Sequence, residues 1–183
     1  MAQPTAQAPS PFELLARLEA EARAAAPGLP EQVAVPEVWS GLGFRVGEHR
    51  LVVPLGEVSE VVPPTPVTPV PLTQRWLKGV ANVRGDLLVV TDLADFLGLP
   101  PAAADDRARF LIVNQPALKS AVLVAEVLGM RHFTEEETLR RPGEVDGRLG
   151  DFLAGAFQQG ATRWAWLDLV RLVKSESFLN AAA

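Results

Sequence analysis

Two histidines, His49 and His132, and a scatter of carboxylates are the side chains whose types could do chemistry. A metal ion would need the histidines to converge with Asp or Glu, and the chain has neither an HExxH nor an HxH spacing. General acid–base work on a glycosidic bond would need two carboxylates flanking it. Asp92 and Asp95 stand close on one short predicted helix, where capping already explains Asp92. Glu126 and Asp168 fall at predicted strand ends, and nothing in their spacing pairs them. The absence of cysteine removes thiolate ligands, cysteine nucleophiles and disulfides together, and suits a reducing cytosol. Gly41-Leu42-Gly43 lacks the following glycine and helix start that would cradle a pyrophosphate. These residues point to a non-enzymatic binding module with no metal and no cofactor.

Two other stretches are unusual for a purely structural role. Val58-Ser59-Glu60-Val61-Val62 sets a carboxylate among β-branched residues at the end of a predicted hairpin. Asn82-Val83-Arg84-Gly85 sets a guanidinium immediately before a tight turn, where a planar fork of donors would be held rigidly. Glu60 and Arg84 either pair with each other or flank a groove and meet polar groups of a partner.

The elements that must position these residues are mostly short strands. Gly41–Val46 and Arg50–Leu55 flank a turn-like Gly47-Glu48-His49 and predict a hairpin. Five prolines between Pro63 and Pro71 exclude a helix or central strand and predict an extended surface crossing. Thr73–Lys78 predicts a short helical turn ending at Gly79. Val80–Arg84 and Leu87–Thr91 predict a second hairpin about Gly85-Asp86, of type II′ composition. Asp92 caps a helix over Leu93–Leu97, with Gly98 to end it and Pro100-Pro101 to prevent continuation. Arg109–Asn114 and Ser120–Ala125 pair, a bent strand follows through Val127–Phe133, and Glu135–Gly147 is a polar surface loop. Phe152–Phe157 and Arg163–Leu167 form a last pair, after which Asp168 caps a final helix. The strand groups before Pro100 and after Arg107 predict two small barrels, and the spacing of turn signals argues for a mainly β fold of barrel or sandwich type.

Ahead of this lies one helix. Ser10, Pro11 and Glu13 compose a capping box, and Phe12, Leu15, Leu18, Ala22 and Ala25 follow at helical spacing until Pro27-Gly28. So short a helix is marginal alone in water, so its apolar stripe must dock either on its own domain or on a partner. Residues 1–36 are therefore predicted as a helix and linker, and 37–183 as the β domain with its C-terminal helix.

A net charge of -5 offers no basic surface for nucleic acid. Met1–Ser10 lacks the features of a secretory signal, and no apolar run approaches the roughly 20 residues that span a bilayer. A cytoplasmic chain, neither exported nor embedded, is expected.

Trp76-Leu77-Lys78-Gly79-Val80-Ala81-Asn82-Val83-Arg84-Gly85, followed by Asp86-Leu87-Leu88-Val89-Val90-Thr91-Asp92-Leu93, resembles the signature of the CheW family. The resemblance covers residues 39–174. With Pro11-Phe12-Glu13-Leu14-Leu15 and Trp39-Ser40-Gly41-Leu42-Gly43-Phe44-Arg45, the chain is most similar to the PilI-like branch, the adaptors of type IV pilus chemosensory systems.

The resemblance implies two five-stranded, SH3-like β-barrels with a hydrophobic groove between them. It also implies a scaffold that links the cytoplasmic tip of a methyl-accepting chemoreceptor to the regulatory domain of a CheA-type histidine kinase, at receptor arrays on the membrane, in the control of twitching motility. The receptor-facing positions carried over are Val58, Glu60, Gly79 and Arg84; no motif assigns the kinase contacts. The alternatives are an adaptor of flagellar chemotaxis and an SH3-like module for proline-rich peptides. Trp164 and Trp166 depart from the glycine-rich approach to the last strands common in the family.

Overall fold

Alternation of apolar and polar residues along the strands dictates two curled sheets, each with one face turned inward. The computed structural model describes residues 10–25, 39–100, 105–116, 118–139 and 147–182. The N-terminal unit is described by its one helix, α1 (Pro11–Ala25). The capping box forms as expected: the Ser10 hydroxyl accepts from the Glu13 N–H at 3.3 Å, and the Glu13 carboxylate accepts from the Ser10 N–H at 2.8 Å. That backbone hydrogen bond holds the Glu13 carboxyl below its usual range. Phe12, Leu15 and Leu18 are exposed. The expected stop at Pro27-Gly28, the linker to Pro36, Pro101 and residues 140–146 of the polar loop lie outside the described residues.

The rest is mainly β. The strands are β1 (Trp39–Val46), β2 (His49–Pro54), β3 (Val58–Val62), β4 (Val67–Thr68), β5 (Leu77–Val83), β6 (Asp86–Asp92), β7 (Arg109–Val113), β8 (Ser120–Val124), β9 (Glu126–Phe133), β10 (Thr138–Leu139), β11 (Leu153–Gln159) and β12 (Thr162–Leu167). The helices among them are α2 (Leu93–Phe96), α3 (Leu169–Val173) and α4 (Glu176–Leu179). One six-stranded sheet runs β10-β11-β12-β2-β1-β9, the other β3-β7-β8-β6-β5-β4. Each consists of five longer strands and one of two residues.

The chain does not divide into barrels at Pro100, as the strand groups predict. The second sheet takes β3 to β8 from the middle of the chain, and the first joins β1 and β2 to β9–β12. The join is parallel, with Leu51 opposite Ala165 and Val52 opposite Trp166. A parallel pair has no local turn to announce it, so the sequence conceals it.

Two further expectations are corrected. No helix forms over Thr73–Lys78, because the backbone there is otherwise engaged. The Gln74 N–H donates to the Ala181 carbonyl at 2.8 Å, Thr73 bridges to Ala182, and β5 has begun by Leu77. The second hairpin turns on Arg84-Gly85 rather than Gly85-Asp86. Both residues have positive φ (53° and 95°), the mark of a type I′ turn, whose twist suits a two-residue hairpin.

Three clusters fill the interior. The largest spans both sheets and includes Phe44, Leu51, Phe96, Leu111, Val122 and Leu167. A small aliphatic one lies inside the second sheet (Val62, Val83, Leu88, Val90, Phe110). An aromatic one lies in the first (Phe133, Phe157, Trp164). No helix among the described residues is long and apolar enough to cross a membrane.

Candidate docking site

β3 and β5 lie on opposite flanks of the second sheet, with β7, β8 and β6 between them. The sheet curls around its aliphatic core until the flanks meet, and Glu60 of β3 reaches Arg84 at the β5–β6 turn, Nη2 to Oε1 2.7 Å. A hydrogen bond from the Thr65 hydroxyl to the Asn82 carbonyl (3.2 Å) helps to close the same gap. The turn is rigid: the Asn82 side-chain oxygen accepts from the Gly85 N–H at 2.9 Å, which helps to hold Arg84 in its left-handed conformation. Arg84 is 75% exposed and Glu60 32%, so the guanidinium stands at the surface with its carboxylate partner half-sunk beside it. Of the two arrangements open from sequence, the mutual pair is present. Val61, Leu87 and Val89 add exposed apolar surface on β3 and β6.

The other two predicted residues play different parts. Val58 is half-buried against the large core, and a register shift between Val58 and Glu60 aims the strand locally. Gly79 is buried. Its φ is +136°, and a Cβ there would lie 2.0 Å from the Thr68 carbonyl oxygen, so glycine lets the β4 segment close over β5.

Beneath this sits a charged network. Lys78 Nζ lies 3.5 Å from Asp92 Oδ2 and 3.6 Å from Asp95 Oδ2, and Arg75 donates to Asp95 at 3.0 and 3.3 Å. Asp92 is buried and caps α2 as predicted, its Oδ1 accepting from the N–H groups of Ala94 and Asp95. The hydrogen bond from Arg75 holds the Asp95 carboxyl below its usual range, against the opposing effect of burial. Asp92 and Asp95 are thereby occupied structurally.

The remaining candidates for chemistry do not converge. The His132 ring is 2.8 Å from the Ser40 hydroxyl, Glu126 meets Arg45 and Arg107, and Asp168 caps α3 through the Arg171 N–H. No group of three His, Asp or Glu among the described residues is placed to hold a metal.

Sequence reasoning missed Glu57. Its carboxylate accepts from the N–H groups of Leu169 (2.9 Å) and Val170 (3.4 Å) and so ties the start of β3 to the first turn of α3. Burial pushes its carboxyl up, and these N–H groups partly offset that. Nothing local marks a contact across so much sequence. Also missed is Leu72, 87% exposed at a φ of 58° and standing next to the residues tied to the C-terminal tail. Trp164 and Trp166, noted as departures, pack with Trp39, Phe133 and Phe157 in the aromatic cluster.

The domain thus combines paired β-barrels, an ion pair carried on the β5–β6 turn and carboxylates committed to caps and salt bridges. A model of the CheW-like domain matches residues 40–177, and the chain belongs to the CheW-like family of coupling and scaffold proteins. It is 35% identical to the Protein PilI of Pseudomonas aeruginosa, over 94% of this chain and 97% of that one. It is 35% identical to the Protein FrzA of Myxococcus xanthus, over 76% and 84% of the two chains. It is 29% identical to the chemotaxis protein CheW of Thermotoga maritima, over 73% and 86%. Its fold is similar to that of the scaffolding protein TtCheW from Thermoanaerobacter tengcongensis, with a TM-score of 0.67 at 21% identity, covering 78% of this chain and 96% of that one.

Proposed function

We propose that this protein couples the cytoplasmic tip of a chemoreceptor to the regulatory domain of a CheA-type histidine kinase, in a system that controls type IV pilus twitching. The single observation that carries the docking role is the Glu60–Arg84 pair at the exposed turn. An exposed ion pair adds little to stability, typically about 0–1 kcal/mol, so its fixed geometry is better explained by what docks on it. A receptor helix would lay its apolar stripe along Val61, Leu87 and Val89 while its polar groups meet Arg84 and Glu60. Val58 supports this surface, and Gly79 acts as a positioning residue beneath it.

The pilus branch is favoured by the extent of the similarity to PilI. A match over 94% of the chain cannot be confined to residues 40–177 and takes in the region of α1, whereas the FrzA and CheW matches are short enough to lie within the β domain. The recruiting surface would be a membrane-associated receptor array, with the protein itself in the cytoplasm.

Coupling of this kind makes and breaks no covalent bond. Receptor states shift the kinase because they differ in contact energy with the shared scaffold, and weak single contacts gain strength through multivalency. In a binding assay with the receptor's cytoplasmic fragment, Arg84→Ala and Glu60→Lys are expected to retain the thermal unfolding of the parent and to weaken binding about tenfold. Unchanged binding in both variants would remove this site. Deleting the gene is expected to abolish twitching and spare swimming; the reverse result would move the protein to flagellar chemotaxis.

A further inference from the structure

A second feature lies on the first sheet. Arg50 of β2, Leu128 and Arg131 of β9, Gln159 of β11, and Thr162 and Trp164 of β12 line a depression of about 250 Å³. Two of these six residues are arginines and none is acidic. Neither arginine has a carboxylate partner among the described residues, in a chain whose net charge is -5.

The site is held in shape. The Arg131 guanidinium lies over the Trp164 ring, 4.8 Å from its centroid, and donates through Nη2 to the Leu128 carbonyl at 3.0 Å. Its Nε is buried without a hydrogen-bond partner, an N–H that has given up water and received nothing in return. Gly43 makes the stack possible: a Cβ there would stand 2.8 Å from the Trp164 ring and 3.0 Å from the Arg131 side chain. Arg50 donates to the Thr162 hydroxyl at 3.3 Å across the parallel join between β2 and β12.

We propose that this depression binds a phosphate group, either as the free ion or as the ester of a small metabolite. One guanidinium fork satisfies a planar carboxylate. Arg50, the guanidinium N–H groups that Arg131 does not spend on the Leu128 carbonyl, and the Thr162 hydroxyl come from three strands and suit a tetrahedral anion with oxygens in several directions, and two positive charges match a phosphate dianion. Binding here is independent of the adaptor role, because Glu60 and Arg84 belong to the other sheet.

The test is an NMR titration of the full chain with inorganic phosphate, repeated with a sugar monophosphate and with acetate at equal ionic strength. Saturable shifts at Arg131 Nε–H, Gln159 and Thr162 are expected with both phosphates, and tighter binding of the ester would assign a metabolite rather than the free ion. Arg50 is exposed, so Arg50→Gln should keep the parent's unfolding curve while weakening phosphate binding about tenfold. Arg131→Lys, which keeps the charge but loses the fork, should weaken it as well. Shifts that never saturate, acetate binding as tightly as phosphate, or saturable binding indifferent to Arg50→Gln would each overturn the proposal.

Discussion

The two barrels meet the same packing requirement with opposite materials. The second is built from one continuous stretch, β3 to β8, and its private core is aliphatic and small: Val62, Ala81, Val83, Leu88, Val90 and Ala121 around a single Phe110. The first is stitched from both ends of the domain and closed by rings, with Phe133 stacked on Phe157 at 4.3 Å and Trp39 within 5.1 Å of Trp166. Their glycines differ accordingly. Gly43 of β1 makes room for the Trp164 indole and Gly41 for both the Trp39 indole and the Val53 carbonyl, whereas Gly79 makes room for backbone alone, the carbonyl of Thr68. The second barrel holds its own non-neighbour pairs, β3 with β7 and β6 parallel to β8, around aliphatic side chains. The first, whose strands come from both ends of the domain, fills its private interior with rings.

The sharpest way to break this contrast is to remove a ring. Trp164→Ala is expected to cost about 3–5 kcal/mol in urea unfolding, since the buried indole leaves a cavity and Arg131 loses its platform. A cost below about 1 kcal/mol, within the range of surface substitutions, would show that the aromatic cluster does not hold the first barrel. The two kinds of glycine give the next comparison. Gly79→Ala should cost about 3 kcal/mol or more, because a Cβ at φ +136° meets backbone that cannot step aside. Gly43→Ala should cost less, about 1–3 kcal/mol, since side chains can give way. Equal costs would erase the distinction between the two barrels.

This contrast also explains what the sequence revealed. Elements fixed by neighbours were legible: the β1–β2 hairpin, the Asp92 and Asp168 caps and the Ser10–Glu13 box all follow from residues a few positions apart. The mainly β class followed from turn spacing, and the family from the run Trp76–Leu93. Contacts across the chain were not legible. The β2–β12 join, the Glu57 cap on α3 and the engagement of Thr73 and Gln74 by the C-terminal tail leave no periodic trace. The docking site lay between these extremes. Arg84 could be placed at a turn from its neighbours and Glu60 named as a possible partner, but only the closed sheet decides that the two pair.

Glu57 tests the seam between the barrels rather than either interior. It precedes β3 of the second barrel and caps the helix that follows β12 of the first, while its own carbonyl accepts from the Asn114 N–H at 2.9 Å. Its folded-state pKa is raised, chiefly by burial, so the folded protein favours the protonated acid more than the unfolded chain does. The stability linked to this group is therefore complete below the ordinary value of 4.5 and is lost as pH rises through the raised value. Glu57→Gln keeps a carbonyl oxygen for the Leu169 N–H and removes the titration. Urea midpoints of parent and variant at pH 4 and pH 7 should consequently diverge, the parent falling relative to the variant on going to neutral pH. Parallel curves would mean that the N–H groups of α3 fully compensate the buried charge, and the seam would then contribute nothing to the pH dependence of stability.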